Sequence, residues 1–204
     1  MADIISEKSK LRQAFKRKRS ELCEEDVATK SQAITQNFIS KLLPQIYSKN
    51  SAKVFGIYSS CGCEVSTTAL IEYFQKNQIP FSYPKIIQHN QCLDFILAQK
   101  DQGFAPSHLY NKILEPVAGS KNLPDFIILP LLAFDEHSSR LGMGGGFFDR
   151  TIESLKKQKS EIITIGLAYE FQRSHDPLPN EKTDQKLDFI VTELGVFPRE
   201  RAVR

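Results

Sequence analysis

The run DFIILPLLAF, residues 125–134, constrains the fold more than any other stretch of this chain. Its near-continuous apolar character lacks the alternation of a strand with one wet face, so it reads as a strand covered on both faces, the situation inside a parallel sheet. Neither this run nor any other approaches the length of a membrane-spanning helix. Parallel strands need helical crossovers, and the flanking sequence supplies them.

The spacing predicts a helix over 8–19, with Leu11, Ala14 and Phe15 on one stripe, and a second over 24–42 with Val27, Ser31, Ile34, Phe38 and Leu42 inward, ended by Pro44. AKVFGIYSS (52–60) follows as a strand. STTALIEYFQKN (66–77) reads as a helix capped by Ser66 or Thr67, with Leu70, Ile71 and Phe74 facing the core. Strands are predicted at 79–84, 93–99, 161–169 and 187–193, and a helix at 150–161 with Ile152 and Leu155 inward. The alternation specifies an α/β fold: an open, mostly parallel (mixed) sheet covered by helices on both faces, in a Rossmann-like three-layer architecture. With 204 residues, 41% of them hydrophobic, and no repeat or linker, residues 1–204 are expected to form one domain.

A net charge of +3 falls short of the basic asymmetry of a nucleic-acid binder, so a small anionic ligand is the better expectation. The start, MADIISEKSK, has no apolar core suited to a signal peptide, which points to a cytoplasmic protein. Cys23, Cys61, Cys63 and Cys92 are too few for a disulfide framework. Cys61-Gly-Cys63 with His89 and Cys92 could offer zinc four ligands, but the pair lacks the two-residue turn of a zinc knuckle, and ordinary thiols are expected.

Directly after the apolar run comes RLGMGGGFFDR, residues 140–150. Between a buried strand and a helix, its backbone N–H groups form a concave anion site, and glycines let an anion reach them. Arg140 could fork onto a phosphate and Asp149 could hold a hydrated Mg²⁺. The segment matches neither the dinucleotide fingerprint nor the P-loop, and a flexible turn that merely sends Phe147 and Phe148 into the core is the alternative.

RLGMGGGFFDR preceded by LPLLAFDEHSS resembles the glycine-rich segment of the 5-formyltetrahydrofolate cyclo-ligase family, also called methenyltetrahydrofolate synthetases. KSKLR (8–12), SSCGCEVST (59–67) and LPNEKTDQKLDFIVTE (178–193) resemble further family segments, in order and over nearly the whole chain. The resemblance implies ATP- and Mg²⁺-dependent conversion of 5-formyltetrahydrofolate to 5,10-methenyltetrahydrofolate through a phosphorylated formyl group; a non-catalytic folate- and nucleotide-binding relative is the alternative. It implies that ATP meets Lys8, Arg12, Arg140, Leu141, Gly142, Met143, Gly144, Gly145, Gly146, Phe147 and Phe148. Folate or its polyglutamates would meet Ser59, Glu64, Met143 and Phe147, while Asp149 and Asp184 would be metal ligands and Arg140 and Asp149 the catalytic pair. Glu115-Pro116 resembles another landmark, with no role assigned. For Lys16, Arg17, Lys18 and Arg19 a solvated helix face is expected instead.

Many relatives carry tyrosines where this chain has Phe147 and Phe148, and an aromatic that some place against folate is missing because the chain has no tryptophan. Tyr83, Phe104 and Tyr110 are the candidates to replace it. Binding to nucleic acid or membrane is not expected, and a monomer is.

Overall fold

The computed structural model describes residues 2–49, 51–159 and 161–198. Helix α1 (Ala2–Ser20) carries Asp3 in its first turn and Arg17, Lys18 and Arg19 in its last, charges that complement the helix dipole at both ends. Helix α2 (Glu24–Asn37) starts on a capping box: the Cys23 thiol accepts from the Asp26 N–H, and the Asp26 carboxylate accepts from the Cys23 N–H. Pro44 does not end this helix as expected. A π turn, Phe38–Leu42, widens the backbone just before it, and the proline falls in the first turn of α3 (Leu43–Ile46), where its missing N–H costs little.

The strands follow as β1 (Phe55–Ile57), β2 (Phe81–Lys85), β3 (Asp94–Leu97), β4 (Phe104–Pro106), β5 (Leu114–Pro116) and β6 (Lys121–Asn122). Then come β7 (Phe126–Pro130), β8 (Ala133–Phe134), β9 (Arg140–Leu141), β10 (Ile163–Leu167), β11 (Phe189–Val191) and β12 (Val196–Pro198). Helix α4 (Thr68–Lys76) lies between β1 and β2, and α5 (Phe147–Gln158) between β9 and β10. Thr67 occupies the N-cap of α4 without capping it, because its hydroxyl donates to the Tyr58 carbonyl; the Ser66 hydroxyl accepts from the Thr68 N–H instead.

Eight strands form one mixed sheet in the order β12-β11-β10-β7-β1-β2-β3-β6. The core strands β11, β10, β7, β1 and β2 run parallel, and antiparallel strands finish both edges. Strand β7 is central and covered on both sides. Phe126 and Ile128 pack with Phe38, Leu42, Leu70 and Phe74, whereas Ile127 and Leu129 pack with Ile152 and Leu155 of α5. Phe55 stacks on Phe126 at 4.3 Å between ring centroids, joining the two central strands.

The apolar run is a sheet strand only as far as Pro130. A proline cannot donate to the ladder, and the chain leaves the sheet there to form the β8–β9 hairpin. That departure positions the glycine-rich segment. It carries the glycine-rich segment out over the carboxyl ends of β1 and β7, where the strand order reverses direction from β1 and where open α/β sheets receive their ligands. Among the described residues no helix is long and apolar enough to cross a membrane.

Candidate active site

A cleft of about 500 Å³ opens at this switch point. Segments far apart in sequence line it: Lys8 and Arg12 from α1, Tyr58, Ser59, Cys61 and Glu64 after β1, Arg140 to Arg150, and Glu181, Thr183 and Asp184 from the loop before β11. Every residue assigned above to ATP, folate or metal borders this one cavity.

Helix α1 reaches the cleft because Leu11 and Phe15 pack on Leu132, Ala133, Leu141 and Leu178, which turns the stripe holding Lys8 and Arg12 inward. The Lys8 ammonium, 5% exposed, donates to Glu181 Oε2 at 2.6 Å and to Asp184 Oδ2 at 2.5 Å. Burial pulls its pKa down, but the hydrogen bonds to Asp184 and Glu181 outweigh that and hold it above the ordinary lysine range. Arg12 Nε donates to the Gly142 carbonyl at 3.0 Å.

Arg140, on β9, is 4% exposed and donates from Nη2 to Asp149 Oδ1 at 2.7 Å. Among the described residues its buried Nε has no hydrogen-bond partner. Burial lowers the guanidinium pKa, and the Asp149 and Asp184 charges work against that shift. Asp149 sits in the first turn of α5 and also accepts from the Gln185 N–H at 3.0 Å, so it joins three segments of the chain.

Three of the glycines, Gly144, Gly145 and Gly146, each have a separate physical reason to lack a side chain. Gly144 has φ +104° and Gly146, the N-cap of α5, has φ +64°, conformations that side chains resist. A Cβ on Gly146 would also stand 2.6 Å from Arg150 Nη1, and one on Gly145 would stand 2.9 Å from the Phe147 ring. Arg150 uses that space. Its Nη2 donates to the Gly145 carbonyl at 2.7 Å, and its guanidinium lies 5.3 Å from the centroid of Phe147. With no side-chain cap on α5, the first N–H groups of the helix are free to receive an anion.

On the opposite wall, Glu64 Oε2 accepts from the Cys61 N–H at 3.1 Å, and Oε1 lies 3.9 Å from Arg19 Nη1. Tyr58 donates to the Val65 carbonyl and Tyr169 to the Glu64 carbonyl, which pins the loop from below. Burial pushes the Glu64 carboxyl above its usual pKa; the Cys61 N–H and Arg19 pull it part of the way back. For a group raised on folding, stability is full below the unfolded pKa and declines as pH rises through the folded one. The thermal midpoint of Glu64→Gln should therefore gain on that of the parent protein as pH rises from 4 towards 8. A constant difference between the two across that range would contradict this.

The pairing with Arg19 corrects one expectation. Lys16, Arg17 and Lys18 are exposed, as a solvated face requires, but the Arg19 side chain is only 13% exposed and faces Glu64. The helical period accounts for it, since position 19 lies eleven residues after Lys8 on nearly the same face. Tyr83, Phe104 and Tyr110 do not line the cleft. Tyr83 packs edge-on against Phe104, and Tyr110 supports Phe147 from the side at 6.1 Å. Phe147, Phe148 and Met143 do line it, and so do Ile86, Leu93, Ile113 and Leu114. The four cysteines are free, and among the described residues no three His, Cys, Asp or Glu side chains, Cys61, Cys63, His89 and Cys92 included, come together as a group that could hold a metal ion.

Glu115 borders the cleft and accepts from the Ile86 N–H at 2.9 Å, tying β5 to the end of β2. Glu181, Arg150 and Gln185 take part in the site without having been singled out from sequence. Glu181 stands three residues before Asp184, and its N–H donates to the Asp184 carboxylate at 2.8 Å, closing the turn.

Residues 4–193 match the sequence profile of the 5-formyltetrahydrofolate cyclo-ligase family. A 5-formyltetrahydrofolate cyclo-ligase of Haemophilus influenzae is 33% identical over 169 residues, which span 78% of this chain and 84% of that one. The solution structure of a 5,10-methenyltetrahydrofolate synthetase from Aquifex aeolicus superposes with a TM-score of 0.78 at 30% identity, covering 97% of this chain and 95% of that one. The structure of a 5,10-methenyltetrahydrofolate synthetase from Mycoplasma pneumoniae does so with 0.67 at 26% identity, covering 91% and 98%.

Proposed function

This chain belongs to the 5-formyltetrahydrofolate cyclo-ligase family and is an enzyme of that activity, and from this premise we propose that its reaction takes place in the cleft at the β1–β7 switch point, with Arg140 and Asp149 at its centre. One observation carries the assignment: residues 8, 12, 59, 64, 140–149 and 184 converge on a single cavity.

ATP use follows from the family. The nucleotide phosphates lie along the Gly142–Gly146 backbone and the start of α5, met by Lys8, Arg12 and Arg140. The folate lies on the side of Ser59 and Glu64, with Met143 and Phe147 between the two ligands. A buried carboxylate suits the amino and ring N–H donors of a pterin. The formyl oxygen is a poor leaving group. It attacks the γ-phosphorus, ADP departs, and the oxygen becomes part of a phosphate ester on the formyl carbon. The neighbouring aniline-type nitrogen of the folate then attacks that carbon and releases its proton to solvent, the ring closes, and phosphate leaves with the oxygen.

No side chain acts as a nucleophile in this sequence. The protein aligns formyl oxygen and γ-phosphorus, and it meets the growing charge on the transferred group with Arg140 and the glycine-loop amides. Phe147 and Phe148 exclude water that would otherwise take the phosphoryl group. Neither ring supplies a hydroxyl, so shape and stacking must suffice there.

Mg²⁺ fits the residues present. Asp149 and Asp184 are cleft-lining carboxylates, and Mg²⁺ is commonly held by one or two carboxylates plus phosphates and water rather than by a complete protein cage. When bound it neutralises charge on the β- and γ-phosphates. A monomer is proposed, with residues 1–204 as one domain. The free thiols suit a reducing compartment, and the cytoplasm is the proposed location.

The test is absorbance of the methenyl product on mixing purified protein with 5-formyltetrahydrofolate, ATP and Mg²⁺. Product formation that needs ATP and is reduced in Arg140→Ala supports this site. Folded protein that binds both ligands without making product would instead favour a non-catalytic relative, with Phe147 and Phe148 as the place to look.

A further inference from the structure

The Lys8 ammonium is shared between two carboxylates, and only one of them, Asp184, has been given a task with the ligands. Glu181 lines the same cleft, contacts Lys8 at 2.6 Å and belongs to the same short turn, closed by its own N–H to Asp184. We infer that Glu181 is a positioning residue: it holds Lys8 in place when nucleotide and metal engage the site, so that Asp184 is free to turn from the lysine to the metal.

This rests on the assignment of Lys8 to phosphate and Asp184 to metal made above. An ammonium has three N–H donors in fixed mutual directions. Two are committed to Glu181 and Asp184, which leaves one for a phosphate oxygen. Lys8 is almost wholly buried and must keep a partner for its charge. If Asp184 were its only carboxylate, metal and lysine would compete for the same oxygens and the binding of one would weaken the other. With Glu181 present, Lys8 can exchange Asp184 for phosphate while keeping one carboxylate bond, and the charge stays paired throughout. Glu181 suits that task because its side chain, 41% exposed, is not confined by the core and can follow a small movement of the lysine.

The discriminating quantity is the Mg²⁺ dependence of ATP affinity, measured by calorimetry as the Kd for ATP in EDTA divided by the Kd for ATP with saturating Mg²⁺. In Glu181→Gln this ratio is expected to fall about tenfold. The fall should come from weaker binding of the Mg²⁺ complex, while ATP in EDTA binds as well as before or better, since one negative group has gone. Glu181→Asp, which keeps the charge on a shorter arm, should recover part of the ratio. The KM for 5-formyltetrahydrofolate should stay within twofold of the parent value. An unchanged ratio, or equal weakening with and without Mg²⁺, overturns the inference, the second result being that of a merely structural tie. If the unsubstituted protein binds ATP no better with Mg²⁺ than without it, the underlying metal assignment fails, and this inference with it. Glu181 is surface-accessible, so both variants should fold, and their melting temperatures check that.

Discussion

Asp149→Asn is expected to lower kcat/KM for ring closure by roughly 10²–10³-fold, the scale on which a single transition-state contact acts. The substitution keeps an oxygen able to accept from the Gln185 N–H, so the loop before β11 retains its anchor, but the charge facing Arg140 Nη2 disappears. Arg140 is then a buried guanidinium facing a neutral group. Breaking a fully buried ion pair costs about 3–5 kcal/mol, and the cost here should be less because Asp149 is 21% exposed and water can reach it. Activity and melting temperature should accordingly separate: a folded protein with a modestly lower midpoint and a catalytic defect of orders of magnitude. The double variant Asp149→Asn/Arg140→Lys should lose far less than the product of the single losses, because the pair acts as a unit. Parent-like turnover in Asp149→Asn would remove this pair from the centre of the mechanism.

A single methyl group at Gly146 should produce the second-largest effect. Gly146→Ala places a side chain at φ +64°, costing about 1–2 kcal/mol in backbone energy. The new Cβ would also meet Arg150 Nη1 at 2.6 Å. Arg150 must move, and with it goes the hydrogen bond that fixes the Gly145 carbonyl. Loss of alignment on the scale of an ångström costs about 10²-fold in rate, and that is the expected fall in kcat/KM, with a raised KM for ATP. Arg150→Met distinguishes the two causes. If displacement of Arg150 is what matters, adding Gly146→Ala to Arg150→Met should change the kinetics little, leaving only the backbone cost visible in the melting temperature. Unaltered kinetics in Gly146→Ala alone would mean that the glycine turn can shift without consequence for the nucleotide.

The legible parts of this molecule were those governed by local pattern. The continuous apolar run identified β7 as a strand buried on two faces, and helical spacing identified the inward stripes of α2, the π turn after it and α5, including Ile34, Phe38, Ile152 and Leu155. Beyond Pro130 the same run does not reveal its place, because apolarity reports burial and says nothing of which sheet a residue joins; Ala133 and Phe134 are fully buried in the hairpin. The short strands β4, β5, β6 and β12 have two or three residues each, too few to show a period.

At the site, the glycine-rich segment declared itself because close approach to backbone demands glycine whatever the ligand. Arg19 did not, since its neighbours Lys16 to Lys18 are solvated and only the turn of the helix separates it from them. Glu181 and Arg150 owe their place to partners 173 and 5 positions away respectively, and residue type alone does not reveal either pairing.

The bond from Lys8 to Asp184 spans 176 positions of the chain. During synthesis on the ribosome, α1 precedes that loop, and the Lys8 ammonium waits without its two carboxylates until residues 181 and 184 have been made. This wall of the cleft therefore cannot close before residue 184 has been made, and a chain that stops short of it, however well its first strands have paired, leaves Lys8 without either carboxylate.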